Sequence, residues 1–338
     1  MLAKFKIFNR IITDKSPTLI IAEIGINHLG DEELCSDMIN AAIEAGADCI
    51  KLQTGNVEES YHPENISYST FKGSELSRDS LIRLSELSTK KGSYLFSSPG
   101  DFSSLKLLSS INSKAYKVSS GQFTNIPLIE EIIKENMPII FSTGMAEEKD
   151  IKRVVDLCKK RKFTNYSLLH CISLYPASFE QLNLYYINHL RNKYNIISGY
   201  SDHTLGELAC IVAVSMGAKI VEKHFTIDNN LKGADNALSL NPRDFKSMCT
   251  KIRSVENMKY KSFLKPHPLE LEIRNTRYRK LVAKRDIYKG EKFTIDNINF
   301  MRIKGSSNAL FASEWNLVSG KFSKNFIKKY SLITKDSY

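Results

Sequence analysis

Carboxylates, ammonium groups and imidazoles are costly to bury without partners, yet in this sequence they recur at the downstream ends of short apolar runs. Glu23 lies in one such run, with Asn27 and His28 just after it; Lys51 and Gln53 close a second, and Ser97 and Ser98 a third. Lys117, Ser119 and Ser120 end a fourth, Ser142 and Thr143 a fifth, and His170, Ser173 and Tyr175 a sixth. His203 follows a seventh, and Glu222 and His224 close an eighth. Packing alone would not set such groups at the end of every run, so convergence on one polar site is the economical account. Two lysines in one site, beside serine hydroxyls and the Ser119-Ser120-Gly121 and Ser142-Thr143-Gly144 turns, suit a phosphate and a carboxylate and imply an anionic substrate. His203 and His224 can place two neutral imidazoles on one divalent metal that keeps positions open for substrate, or can work as acid and base. Any one histidine in an apolar strand can also be a hydrogen-bonded core residue.

The runs that must position these groups are Leu19 to Gly25, Asp48 to Gln53, Tyr94 to Ser98, Ala115 to Val118, Pro138 to Ser142, Tyr166 to His170, Ile196 to Gly199 and Lys219 to His224. Helical patterns separate them, such as Asp31 to Ala45, whose Leu34, Met38, Ala41, Ala42 and Ala45 mark one face and whose following Gly46 suits a helix C-terminus. Eight βα units in roughly 250 residues predict a (β/α)8 TIM barrel, with chemistry at the C-terminal ends of the strands, rather than a doubly wound sheet. From Lys265 the texture changes. Pro266, His267 and Pro268 break the helix, a charged connector follows, and Leu281 to Ile287, a Lys289-Gly290 turn and Phe293 to Ile303 predict a small β-rich module. The expected domains are a barrel over 1–265, a linker over 266–279 and the small module over 280–338.

A chain of 338 residues, 42% apolar and 25% charged, can fill one large core and one small one. No apolar run approaches the roughly 20 residues of a membrane span, and the first residues lack the apolar stretch and cleavage site of a secretory signal. A cytoplasmic location without a membrane partner is therefore expected. The cysteines at 35, 49, 158, 171, 210 and 249 form no C-x-x-C pair and read as core thiols. The net charge of +11 fits attraction of either an acidic substrate or nucleic acid. Its densest stretch, Lys251 to Arg285, sets eleven Lys or Arg against three Glu with no nucleic-acid motif or regular aromatic interleaving, and reads as a solvated linker surface with no nucleic-acid partner.

At the level of words, IAEIGINHLGD (Ile21 to Asp31), AGADCIKLQT (Ala45 to Thr54), AYKVSSG (Ala115 to Gly121), FSTGMA (Phe141 to Ala146), LLHCISLYP (Leu168 to Pro176), GYSDHTLG (Gly199 to Gly206) and GAKIVEKHFT (Gly217 to Thr226) resemble the N-acetylneuraminate (sialic acid) synthase family. NPRDF at Asn241 to Phe245 adds to them, and LVAKRDIYKGEKFTIDNI (Leu281 to Ile298) resembles the antifreeze-like, or SAF, domain that ends these synthases. The resemblance implies condensation of phosphoenolpyruvate with N-acetylmannosamine or a related N-acyl amino sugar, giving a nonulosonic acid and phosphate. It assigns Lys51, Gln53, Lys117, Ser120 and Ser142 to phosphoenolpyruvate and His203 and His224 to a divalent ion, manganese or magnesium. Glu23, Tyr175, Glu222 and Asp235 match positions that hold the sugar or manage protons and water. Asn65 and Ser201 match sugar contacts, and Arg302 matches an arginine that the lid domain of a partner subunit extends into the site, which implies a domain-swapped homodimer.

Some positions depart from the family's pattern. Gln122 replaces the familiar acid after Ser-Gly, Gly100 stands where an aromatic often follows Ser-Pro, Ser173 replaces a common asparagine, and Arg302-Ile303-Lys304-Gly305 departs from Arg-Pro-Gly-Asn-Gly. Alternatives are a synthase of legionaminic or pseudaminic acid acting on a diamino sugar, a Schiff-base aldolase using Lys117, and a sugar-binding relative that lost turnover through Gln122.

Overall fold

A computed structural model of the chain describes residues 3–233, 235–259, 266–304 and 308–338, so Lys265 and Gly305 lie outside the described residues. The chain divides into two compact units, Met1–Tyr260 and Lys261–Tyr338.

The first unit opens with an antiparallel hairpin, β1 (Phe5–Ile7) and β2 (Arg10–Ile12), turned at Phe8 with φ 53°. Eight parallel strands follow: β3 (Leu19–Gly25), β4 (Cys49–Thr54), β5 (Leu95–Pro99), β6 (Tyr116–Val118), β7 (Ile139–Ser142), β8 (Tyr166–Cys171), β9 (Ser198–Asp202) and β10 (Ile220–His224). They pair in sequence order and β10 returns to β3, so the sheet closes into a barrel. Helices follow each strand on the outside, as parallel pairing requires a crossover. The helix expected from Asp31 to Ala45 spans Glu32–Glu44, with the Asp31 carboxylate accepting from the Glu33 and Leu34 amides as N-cap and Gly46 at φ 102° after its end.

Each expected run is a barrel strand, and the largest boundary difference is in the seventh, which begins at Ser198 and continues to Asp202. Gly199 stopped the expected strand too early. A side chain there would meet the Ile220 carbonyl oxygen at 2.2 Å, so the glycine is a close strand-to-strand approach, not a turn. The hairpin was not expected, and its reason is visible in the core. Phe5, Ile7 and Ile12 pack with Leu19, Ile21, Cys49, Phe96, Ala115, Ile140, Leu169, Ile197 and Ile220, residues at the upstream ends of the barrel strands, and so close that end.

In the second unit β11 (Arg279–Ala283) pairs antiparallel with β12 (Ile298–Arg302), over a core that includes Leu281, Phe293, Leu310 and Ile333. Gly290 has φ 82°, which fits the expected turn. Two expectations are corrected. The connector is helical over Pro268–Arg277, because Pro268 takes the first helical position and the His267 side chain caps it, so these residues start a helix. The strand pattern expected over Leu281 to Ile287 lies over Arg279–Ala283, and within the segment Phe293 to Ile303 the strand is Ile298–Arg302, since Asn297 turns the chain before it, donating to the Lys292 carbonyl and accepting from the Thr294 amide.

Candidate active site

Alternation along a strand sends every second residue inward. At the upstream end the inward residues are apolar; one or two steps later they are Glu23, Lys51, Gln53, Ser98, Lys117, Ser142, Cys171, Ser201, Glu222 and His224. Parallel register then sets them side by side, with Glu23 opposite Lys51 on one neighbour and His224 on the other, and Glu222 opposite Ser201. Together with Ser119, Ser120, Gly121, Met145, Ser173, Tyr175 and His203, all of these except Ser98 line a cavity of about 360 Å3 at the C-terminal end of the barrel.

The charges form a chain. Lys51 Nζ is 2.7 Å from Glu23 Oε1 and 3.8 Å from Glu222 Oε2, and Lys117 Nζ is 3.6 Å from Glu222 Oε1. Burial pushes Glu222 upward, but Lys117 and Lys51 outweigh it and hold the carboxyl below its usual range. Burial raises Glu23, and Lys51 on one side does not offset it against the repulsion of Glu222. Burial draws the Lys117 ammonium down, whereas for Lys51 the Glu222 and Glu23 carboxylates exceed the same penalty and hold it up. Two carboxylates in one cavity are thus driven in opposite directions, the arrangement that separates a proton carrier from a permanent anion.

Lys117 also donates to Ser142 Oγ at 2.6 Å, and Lys51 to Ser98 Oγ at 3.3 Å. The Ser120 hydroxyl accepts from the Gly144 amide at 3.0 Å. A side chain at Gly144 would meet Ser173 Oγ at 2.2 Å and Ser120 Oγ at 2.6 Å, so this turn stays open only with glycine. Ammonium groups, hydroxyls and such a turn are the donor set that binds phosphate and carboxylate.

His203 and His224 have ring centroids 5.3 Å apart, and the Tyr175 ring lies 4.0 Å from that of His203. His203 Nδ1 donates to the Ile172 carbonyl at 2.8 Å, and although burial lowers this imidazole, Cys171, that carbonyl and Glu222 outweigh it and hold it above the ordinary histidine range. His224 Nδ1 is buried without a hydrogen-bond partner, 3.7 Å from Asp235 Oδ2. Burial, with His203 and Lys51 nearby, keeps His224 neutral by holding it well below the ordinary histidine range. A neutral, orphaned His224 beside His203, whose second ring nitrogen becomes a ligand once its proton is lost, fits a divalent ion that leaves its other positions to water and substrate. Among the described residues no group of three or more His, Cys, Asp or Glu side chains forms a closed cage.

Other candidate residues lie elsewhere. His170 faces out of the barrel, bonded to the Leu182 carbonyl and packed against Tyr186 and Tyr200. Asn65 is exposed, is not among the cavity's lining residues, and accepts from the Ser67 amide. Asp235 approaches His224 without lining the cavity. Arg302 is exposed on β12 in the second unit, in a concavity it shares with Arg277, Arg279 and Phe311. Gln122, read as the site of a missing proton carrier, donates to the Gly100 carbonyl at 2.7 Å and accepts from Asn125 Nδ2 at 2.9 Å, so its amide is a structural tie outside the cavity.

Two features escaped the sequence reading. Cys171 is buried as expected but faces the cavity, 3.8 Å from His203 Nδ1; strand periodicity from Leu169 gave the signal. Behind His203, Lys223 and Asp202 form a fully buried ion pair of 2.7 Å, and Asp202 also accepts from Tyr200 Oη, Thr204 N, Thr204 Oγ1 and Cys210 Sγ. These saturated contacts fix the turn that carries His203.

A profile of the NeuB family matches residues 38–262, and one of the SAF domain matches residues 278–338. An uncharacterized protein of Methanocaldococcus jannaschii is 41% identical over 299 residues, 88% of this chain and 89% of its own. The N,N'-diacetyllegionaminic acid synthase of Campylobacter jejuni is 35% identical over 332 residues, 94% of this chain and 98% of its own. Among solved structures, the N-acetylneuraminic acid synthetase of Leptospira borgpetersenii superposes with a TM-score of 0.77 at 34% identity, covering 82% of this chain and 98% of that one. Among the described residues, no helix is long and apolar enough to cross a membrane.

Proposed function

This chain belongs to the NeuB family, and from that premise we propose that it is a nonulosonic acid synthase joining phosphoenolpyruvate to an N-acylated amino sugar. The observation that carries the reading is the buried Glu23–Lys51–Glu222–Lys117 chain, beside two imidazoles in one cavity. Lys51 and Lys117, with Ser120, Ser142 and the Gly144 turn, hold the carboxylate and phosphate of phosphoenolpyruvate. A manganese or magnesium ion on His203 and His224 would polarise the aldehyde of the open-chain sugar. C3 of phosphoenolpyruvate bonds to the aldehyde carbon, whose oxygen takes up a proton and becomes a hydroxyl. Positive character at C2 is stabilised by Glu222, the permanent anion. Water adds to C2 and yields its proton to a carboxylate, for which Glu23 is suited by its raised range. The tetrahedral carbon then breaks its bond to the phosphate oxygen, the remaining hydroxyl loses its proton to leave a ketone, and the lysines retain the departing phosphate.

The test is phosphate release from phosphoenolpyruvate with manganese and a panel of N-acyl amino sugars. Release with none of them overturns the proposal, and full activity after exhaustive chelation overturns the metal assignment. Because burial lowers the Lys117 ammonium, an imine mechanism is the second reading. Covalent inactivation by borohydride in the presence of substrates would favour it; the synthase forms no reducible adduct.

A further inference from the structure

A second cavity, of about 300 Å3, adjoins the first and shares Gln53, Ser119 and Gly121 with it. Its chemistry is different. Two aromatic rings, Tyr61 and Phe71, are stacked 4.7 Å apart in its wall, and Ile26, Val57 and Leu107 add apolar surface. Among the described residues, no lysine, arginine or histidine lines it. Its one carboxylate, Glu75, is occupied by the Val57 amide at 2.9 Å and by Lys72 at 3.3 Å. Ser60 donates to Asp101 Oδ2 at 2.8 Å and keeps lone pairs to accept a further hydrogen bond. A wall that joins apolar and aromatic surface to neutral hydroxyls and amides such as Thr54, Ser60, Ser74 and Gln122, with no cation, suits a neutral amide and disfavours a phosphate, which needs cationic or multiple N–H donors.

Gly100 and Gln122, both departures from the sequence pattern the chain otherwise follows, line this side cavity, and neither lines the first. Gly100 leaves space: a side chain there would start 3.2 Å from Ser60 Oγ and 3.5 Å from Gly55 Cα. Gln122 keeps that wall uncharged, because a carboxylate in its place would set an oxygen against the Gly100 carbonyl to which its amide now donates. Both differences make the side cavity roomier and more neutral while leaving the reacting groups untouched.

Resting on the synthase reading, we infer that this side cavity is a subsite for a second, uncharged N-acyl group on the acceptor sugar, remote from the reacting aldehyde. The acylamino group beside the aldehyde stays with the reacting carbon in the main cavity, and the sugar passes Gln53 to set its far substituent against Tyr61 and Phe71. The substrate class is then a doubly N-acylated, unphosphorylated amino sugar.

The test measures phosphate release from phosphoenolpyruvate and manganese with three acceptors: N-acetylmannosamine, its 6-phosphate, and a mannose-configured 2,4-di-N-acetyl sugar. The wild-type protein should prefer the diacyl sugar by about 100-fold in kcat/KM, the range a shaped pocket can supply. Gly100→Leu, which fills the side cavity, should lower kcat/KM for the diacyl sugar by about 30-fold. The KM for phosphoenolpyruvate and the activity on N-acetylmannosamine should stay unchanged. Phe71→Ala, which removes part of the wall and adds no bulk, should selectively weaken the same acceptor and stands in if Gly100→Leu fails to fold. No phosphate release with any of the three overturns the synthase reading, and this inference with it. Preference for either other acceptor, or an equal loss on all three in the folded variants, overturns the subsite alone and leaves the synthase reading standing.

Discussion

The two ends of the barrel are built from the same eight strands and do opposite things. At the upstream end the inward residues, such as Leu19, Ile21, Phe96, Ile140 and Ile220, are apolar and covered by the Phe5–Ile12 hairpin; two residues downstream they are Glu23, Ser98, Ser142 and Glu222. Burial of apolar side chains stabilises the first end, and burial of charges costs stability at the second unless each finds a partner. One end therefore supports the other: closure at the base holds a ring of strands rigid enough to keep opposed charges together.

The comparison breaks if chemistry and stability are not separable in this way. The largest effect is expected from Lys117→Met and Glu222→Gln, each of which should cut the rate of phosphate release by about 1,000-fold. Thermal melting should show the Lys117→Met protein only slightly destabilised, since Glu222 keeps Lys51 at 3.8 Å as a counter-charge. Phe5→Ala tests the other end. It should cost about 3–5 kcal/mol in a urea titration, as a large aromatic truncation does, while kcat/KM per folded molecule stays within a factor of two or so.

Asp202→Asn lies between these extremes, because it strands the Lys223 ammonium with no counter-charge. A loss of about 3 kcal/mol is expected, with weaker manganese binding as the His203 turn loosens. Lys223→Met should cost as much, and the double variant less than the sum, measured as a cycle.

The narrowest effect, confined to acid pH, concerns His28, which burial pushes down to about 4 from 6.5. Below pH 6.5 the unfolded chain takes up a proton that the folded chain refuses until about pH 4, so stability is present at neutral pH and falls as pH drops through this window. The contribution is up to about 3 kcal/mol. His28→Gln should flatten the dependence of the melting temperature on pH between 7 and 4.5 or so; an unchanged slope would show that the imidazole titrates freely.

Periodicity along the chain determined the barrel, since eight apolar runs separated by helices of one-sided apolarity leave few ways to bury both. It also determined which residue types gather at the C-terminal mouth: Glu23, Lys51, Lys117 and Glu222 are in phase with the apolar inward residues two positions upstream. Three things were decided only by tertiary structure. His170 has the residue type and placement of a site residue but the wrong phase, and its bond to the Leu182 carbonyl depends on a segment folding back on it. Lys223 and Asp202 look like solvated charges on the outer face of a strand, and only the packing of Tyr200, Thr204 and Cys210 around them makes them a sealed pair. The side cavity joins residues from position 26 to position 122 across several loops. Local pattern fixes which face a side chain takes, because that follows from backbone geometry within a few residues. Partners and cavities depend on which distant segments meet, and that is settled only when the ring closes.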